Sequence, residues 1–73
     1  MEDRTNELID LVEILAKPLE FDPNRIWIGR NSYGEYEMEI DNQTWCNCYS
    51  YPEAKQSIYD IFKGIELGRE MSI

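Results

Sequence analysis

Glu35-Tyr36-Glu37-Met38-Glu39-Ile40-Asp41 is the stretch of this chain that decides its fold, because acidic and apolar residues alternate through all of it. Successive side chains on a β-strand point to opposite faces, so the alternation predicts a strand with four carboxylates on one face and three apolar side chains on the other. Carboxylates two residues apart on a strand lie about 6.6 to 6.8 Å from each other. Neighbours of like charge repel one another. This carboxylate row, Glu35, Glu37, Glu39 and Asp41, therefore favours a surface that binds a basic partner.

Amphipathic helices are predicted on both sides of the acidic strand. Between Thr5 and Ala16, Leu8, Leu11, Val12 and Leu15 recur at helical spacing. Pro18 ends this helix, because the residue before a proline is pushed out of the α region. A second helix has Pro52 at its first position and Gly68 as its stop, and buries an apolar stripe of Ala54, Ile58, Ile61, Phe62 and Ile65.

Two more strands complete the pattern. Ile26, Trp27 and Ile28 form the first, which is closed by the turn residues 31–34. The third, residues 44–49, follows a tight turn near Asn42 and Gln43. The chain of 73 residues is long enough for one small domain, residues 1–73. The predicted fold is α+β, a two-layer sandwich in which a helix, a three-stranded antiparallel meander and a second helix follow one another (αβββα).

Strand register predicts what else lies beside the carboxylate row. Pairing Ile26 and Ile28 with Ile40 and Met38 brings Trp27 opposite Glu39 and Arg25 opposite Asp41. The third strand has two alternatives. Either Cys46 and Cys48 face the helices, which their small size favours, or Trp45, Asn47 and Tyr49 do, which the burial of tryptophan favours. In the first alternative, which we prefer, the outer face carries Trp45 and Tyr49 beside Trp27.

Cys46 and Cys48 are the only cysteines. Their side chains point the same way on a strand, where neighbours so close rarely form a disulfide without distortion. Two thiolates are too few for a closed zinc site, and the chain has no histidine to complete one. We expect reduced, packed cysteines, with a metal shared at an oligomer interface as the alternative.

The charge of the chain limits the kinds of partner that it can bind. Fifteen acidic residues against seven basic ones give a net charge of −8, which repels nucleic acid and anionic lipid and attracts cationic partners. Catalysis has little support, because there is no Ser-His or Cys-His pairing, no glycine-rich phosphate loop and no dry carboxylate pair. We therefore expect no enzyme, cofactor or metal. The N-terminal residues lack the layout of a signal peptide, and no apolar run is long enough to span a bilayer, so a cytoplasmic location is expected.

The element order resembles that of the double-stranded RNA-binding domain. Glu53-Ala54-Lys55-Gln56, after the third strand, is similar to part of the helix-two motif of that family. The resemblance implies the αβββα fold. The lysines that hold phosphates precede the alanine in that family, whereas Pro52 and Glu53 occupy those places here, so phosphate binding is not expected.

The size, the charge and the carboxylate row also resemble the small acidic inhibitors encoded by phages and mobile elements, including anti-CRISPR and anti-restriction proteins. That resemblance implies occupation of the nucleic-acid groove of a host enzyme by carboxylates placed where phosphates would lie. The expected partner is a basic protein surface, and the chain is expected to be a monomer or a homodimer in the host cytoplasm. The alternative is a structural or regulatory module that dimerises through its exposed aromatic residues. The predicted partner-binding residues are Glu35, Glu37, Glu39, Asp41, Trp27, Trp45 and Tyr49.

Overall fold

A computed structural model describes residues 3–71, with the side chains of residues 3–69. The predicted αβββα order is confirmed. The elements are helix α1 (Thr5–Ala16), strands β1 (Ile26–Arg30), β2 (Tyr36–Ile40) and β3 (Gln43–Cys48), and helix α2 (Tyr51–Met71).

Helix α1 has the predicted bounds. Of the predicted stripe, Leu8 and Val12 are buried, while Leu11 and Leu15 are half-buried against the core. Ala16, one further turn along the same face, is buried as well. Beyond Ala16 the chain tightens into a 3₁₀ turn that contains Pro18, and Glu20 then takes the left-handed conformation at φ 53°. This reversal brings Phe21 back into the core, where its ring meets Phe62 of α2 edge to face, with 5.6 Å between centroids.

The sheet has the order β1-β2-β3, and both strand pairs are antiparallel. The predicted register of the first pair is confirmed, with Ile26 opposite Ile40 and Ile28 opposite Met38. The turn before β2 forms as the sequence indicates. Asn31 Oδ1 accepts hydrogen bonds from the backbone N–H groups of Tyr33 and Glu35, and Gly34 supplies the φ of +79°.

The second turn lies one residue earlier than the sequence predicts. Ile40 pairs with Gln43, so the turn residues are Asp41 and Asn42, at φ 51° and 68°. A two-residue hairpin whose turn residues both have positive φ matches the twist of the strands, and Asp and Asn tolerate this conformation. The predicted strand 35–41 therefore shortens to β2 at both ends, and the third strand begins at Gln43 and ends at Cys48.

A β-bulge in β3 was not predicted. Met38 pairs with Cys46 and Glu39 with Thr44, which leaves Trp45 as an extra residue between them. The alternation of faces is therefore interrupted between Trp45 and Cys46. Cys48 is buried, and both Cys46 and Trp45 pack against the core, so the preferred orientation of the cysteines is confirmed while Trp45 points to the helix side as well.

Helix α2 continues past Gly68, where the sequence predicts a stop, and reaches Met71. A glycine ends a helix when the chain must turn left-handed there, whereas here α2 continues with a side exposed to solvent around Gly64 and Gly68. Both helices cover one face of the sheet. The core between the layers contains Leu8, Val12, Ala16, Phe21, Ile26, Ile28, Tyr36, Met38, Cys48, Ala54, Ile58 and Phe62.

Within the described residues, no helix combines the length and the apolar character that crossing a membrane requires.

Candidate functional site

The face of the sheet opposite the helices carries the candidate site. Tyr36 and Met38 are buried under the helices, and Ile40 packs against the same core. Strand alternation therefore sends Glu37 and Glu39 to the other face. In the described part of the chain, neither of these carboxylates takes part in a hydrogen bond or an ion pair. They are available to a partner.

Trp27 lies on this outer face and is 51% exposed. It pairs with Glu39, and Gly29, two residues further along β1, pairs with Glu37. The indole folds along the strand over Gly29, since a Cβ atom added at that position would lie 2.6 Å from both Cζ2 and Cη2 of the ring. A side chain at residue 29 would displace the ring. The glycine thus allows the tryptophan to lie against the sheet, next to two carboxylates.

Asp41, at one end of the predicted row, is already engaged within the chain. Its two carboxylate oxygens accept hydrogen bonds from Nε and Nη2 of Arg25, at 2.9 and 2.6 Å. The hydrogen bond from Arg25 lowers the pKa of the Asp41 carboxyl, and the same bond raises the pKa of Arg25. The sequence predicts this pairing of Arg25 with Asp41, and it removes Asp41 from the unpartnered row.

Glu35, at the other end of the row, belongs to the β1–β2 turn. It precedes β2, and its Oε1 accepts a hydrogen bond of 3.0 Å from the side-chain amide of Asn31. The prediction of four equivalent acids on one strand is therefore wrong. Two carboxylates, Glu37 and Glu39, stand on the strand, and the acids flanking it are tied to the turns at its ends.

The preferred alternative places Trp45 among the carboxylates, and this prediction is wrong. The β-bulge turns it toward α2, where it packs against the core and borders a shallow cleft with Ser57, Asp60 and Ile61. The added residue in β3 is the physical reason. Tyr49 directly follows β3 and is 66% exposed. The pairing of Tyr36 with Cys48 places it at the end of the sheet where Glu35 precedes β2.

Cys46 and Cys48 form a disulfide, where the sequence predicts reduced thiols. Their Cα atoms are 6.2 Å apart, within the range of about 4.4 to 6.8 Å that a disulfide bridges. The hydroxyl of Ser57 on α2 lies 3.1 Å from Cys46 Sγ and 3.7 Å from Cys48 Sγ. The sulfur pair is therefore part of the contact between the sheet and α2, on the side away from the carboxylates.

Gly29 is the site residue that the sequence analysis misses. The spacing of Trp27 and Gly29 could have indicated it, because a glycine two residues after an aromatic residue on a strand leaves room for the ring to lie over the glycine. The stacking of arginine side chains on aromatic rings is the second feature that was not predicted. Arg4, Arg25 and Arg30 lie over the rings of Tyr51, Phe21 and Tyr36, with 3.6, 4.7 and 4.5 Å from Cζ to the ring centroids.

The arrangement can bind a cation on an open surface. It combines an exposed indole with two carboxylates on the adjacent strand, and both act on positive charge, the ring through its π-face and the acids through ion pairs and hydrogen bonds. In the described chain, no three side chains from Asp, Glu, Cys and His come together as metal ligands would.

No protein-family model, curated protein or solved structure matches this chain.

Proposed function

We propose that this protein is a non-enzymatic inhibitor that binds the nucleic-acid groove of a host nucleic-acid-processing enzyme, such as a CRISPR effector or a restriction enzyme. Contact is made by the outer face of the sheet, here called the acidic face: Trp27, Gly29, Glu37 and Glu39, with Glu35, Asp41 and Tyr49 at its ends. The proposal includes action in the host cytoplasm.

The observation that carries the proposal is the pair of carboxylates of Glu37 and Glu39 on the central strand, which have no hydrogen-bond or ion-pair partner among the described residues. A central strand is held by hydrogen bonds on both sides, so the charges it carries keep a fixed spacing. A groove that neutralises phosphates with Lys and Arg can pair those side chains with such carboxylates instead. A rigid strand also avoids the ordering cost that a flexible acidic tail would have on binding.

The net charge of −8 supports the same proposal. A strongly negative protein is steered toward a basic groove and away from nucleic acid, so it competes for the groove without binding the substrate. The exposed indole of Trp27 adds a contact of the kind that dominates protein–protein interfaces.

The decisive experiment captures the partner from a bacterial host lysate and then measures how strongly the domain competes with DNA or RNA for the purified partner in a mobility-shift assay. The double variant Glu37→Lys, Glu39→Lys should lose competition and keep its fold. The matched control Asp10→Lys, Glu66→Lys changes the net charge by the same amount at exposed positions of the two helices and should compete nearly as well as the parent.

Salt dependence is the second readout. The affinity of the parent protein for the partner should fall steeply as ionic strength rises, because dissolved ions compete with the ion pairs between the two proteins. The proposal is wrong if the doubly reversed variant competes as well as the parent, or if the partner binds nucleic acid and this protein at once.

A second candidate function is a structural or regulatory module that forms homodimers. The exposure of Trp27 on β1 favours it, since β1 is an outer strand of the sheet and a second copy could pair with its free edge. Sedimentation at increasing salt separates the two proposals. Dimers would become more stable as screening weakens repulsion between the acidic copies, whereas groove binding weakens.

A further inference from the structure

Trp27, Glu37 and Glu39 together have the parts of a site for a guanidinium group. The indole covers Gly29 and is half exposed, so it lies against the sheet with part of its surface open to solvent. Adjacent strands lie about 4.7 to 4.9 Å apart, and the partners of Trp27 and Gly29 across that gap are Glu39 and Glu37. A planar cation seated on the ring is therefore within reach of both carboxylates.

The chain's own arginines use the same combination of ring and acid. Arg25 lies over Phe21 while its guanidinium donates two hydrogen bonds to Asp41. Arg4 lies over Tyr51 and pairs with Glu7. At Trp27 the ring and the acids are present, and no cation of the described chain is seated on that ring.

The chemistry favours arginine over lysine. A guanidinium is planar, stacks on an aromatic face, and offers several N–H donors in one plane, so it can contact the ring and two carboxylates together. The ammonium of lysine is a compact, strongly hydrated charge that cannot stack. A purely acidic surface without a ring would keep only the preference that planar hydrogen bonding to carboxylates gives to arginine.

We infer that Trp27, held over Gly29 and flanked by Glu37 and Glu39, is a binding subsite for an arginine side chain of the partner protein. The inference rests on the proposed function and makes it more specific, because it names the residue type at the centre of the contact. Glu37 and Glu39 supply charge and hydrogen-bond acceptors, and Trp27 supplies the ring on which the guanidinium stacks.

The test is an NMR titration of the ¹⁵N-labelled protein with two probe peptides of equal length and charge, one alternating arginine and serine and the other alternating lysine and serine. Low ionic strength, about 0.01 M, keeps the Debye length near 30 Å and makes weak binding measurable. Trp27 and Trp45 are the only tryptophans, so the indole N–H signals report the acidic face and the α2 side separately. The Trp45 nitrogen is buried and serves as the internal reference.

The expected result is movement of the Trp27 indole signal with both peptides and a dissociation constant about two- to fivefold lower for the arginine peptide, a preference as large as one exposed cation–π contact of about 0.5 to 1 kcal/mol, because the planar guanidinium stacks on the indole and the ammonium does not. Trp27→Leu should keep only the smaller preference that hydrogen bonds between guanidinium and carboxylates give to arginine. The control Tyr33→Leu removes an exposed aromatic residue from the β1–β2 turn and should keep the preference. The pair Glu37→Gln, Glu39→Gln should weaken both peptides alike.

Each of the other outcomes overturns either the arginine subsite alone or the subsite together with the proposed function. Equal affinities on the parent, or a preference that is undiminished in Trp27→Leu, overturn the arginine subsite and leave the acidic inhibitor standing. Failure of both peptides to bind overturns the subsite and also the electrostatic basis of the proposed function. The backbone spectrum shows whether each variant is folded, and the two glutamine substitutions test the subsite without altering the tryptophan.

Discussion

Gly29 and Trp27 show how one residue without a side chain controls the position of another. The Cζ2 and Cη2 atoms of the indole occupy space that a Cβ atom at residue 29 would require. These atoms are the far end of a side chain that can rotate, so the ring can move away while the backbone stays in place.

Gly29→Ala should displace the indole and leave the fold intact. The free energy of unfolding should change by less than about 1 kcal/mol, because the substitution is on a solvent-exposed face. The Trp27 indole N–H signal should move in the NMR spectrum and the Trp45 signal should not. Gly64→Ala, which has no neighbour within 4 Å, is the control and should move neither signal. An unchanged Trp27 signal would contradict the position of the ring.

Asp41 gives a pH prediction whose sign follows from its pKa. The hydrogen bond from Arg25 lowers that pKa below the ordinary value of 3.8. The pair therefore stabilises the folded state fully above that value, and the stabilisation is lost as the pH falls through the lowered pKa.

Asp41→Asn should consequently have a lower urea midpoint than the parent at pH 7, with a difference that shrinks as the pH is taken below 3.8. Glu39→Gln, whose carboxylate has no partner in the described chain, serves as the comparison. A difference between Asp41→Asn and the parent that stays constant from pH 7 to pH 2 would show that the pair contributes nothing that depends on charge.

At the scale of elements, the sequence predicts what its repeating patterns determine and misses what depends on one residue. Helix α1 and the pairing of β1 with β2 are predictable because apolar residues recur at fixed spacing and only one register buries Ile26, Ile28 and Met38 together. The bulge at Trp45 is a single added residue with no such pattern, and it decides which face the tryptophan occupies.

The remaining differences have the same origin. The hairpin turn falls on Asp41 and Asn42 because both tolerate positive φ, and the sequence offers Asn42 and Gln43 as an alternative one residue away. Neither the fold of the indole over Gly29 nor the pairing of Asn31 with Glu35 follows from alternation, so the acidic face could be predicted in outline and not in its partners.

Alanine substitutions at Gly64 and Gly34 should change the free energy of unfolding in opposite directions. Gly64 lies on the exposed part of α2 with open space around it, so Gly64→Ala should raise the free energy of unfolding by about 0.5 to 1 kcal/mol. Gly34 has a φ of +79° in the β1–β2 turn, and Gly34→Ala should lower it by about 1 to 2 kcal/mol. Urea denaturation of the two variants measures both changes, and equal effects would contradict the conformations described here.

The whole molecule carries a net charge of −8 on a domain of 73 residues. Among residues 3–69, the structure joins two pairs of opposite charges by direct ion pairs, Arg4 with Glu7 and Arg25 with Asp41. Most of the acidic side chains are therefore balanced by ions from the solvent, and they repel one another through the solvent.

Salt should therefore stabilise the folded state. We expect the urea midpoint to rise when sodium chloride is increased from about 0.01 M to about 0.15 M, because the Debye length shortens from about 30 Å to about 8 Å. The variant Glu37→Gln, Glu39→Gln should show a smaller rise, since it lacks two of the charges that repel. A midpoint that falls with salt would mean that attractive pairs outweigh the repulsion.

The acidic face also governs how copies of the protein behave at high concentration. A three-stranded sheet with one uncovered face and two outer strands offers several ways to stack or to extend into a larger assembly. The negative charges of Glu37 and Glu39 oppose stacking. The sequence isoelectric point is about 4.3, so the net repulsion between copies is weakest near that pH. The surface proposed to bind a basic partner would thus also keep copies of the protein apart, and precipitation should be greatest near that pH.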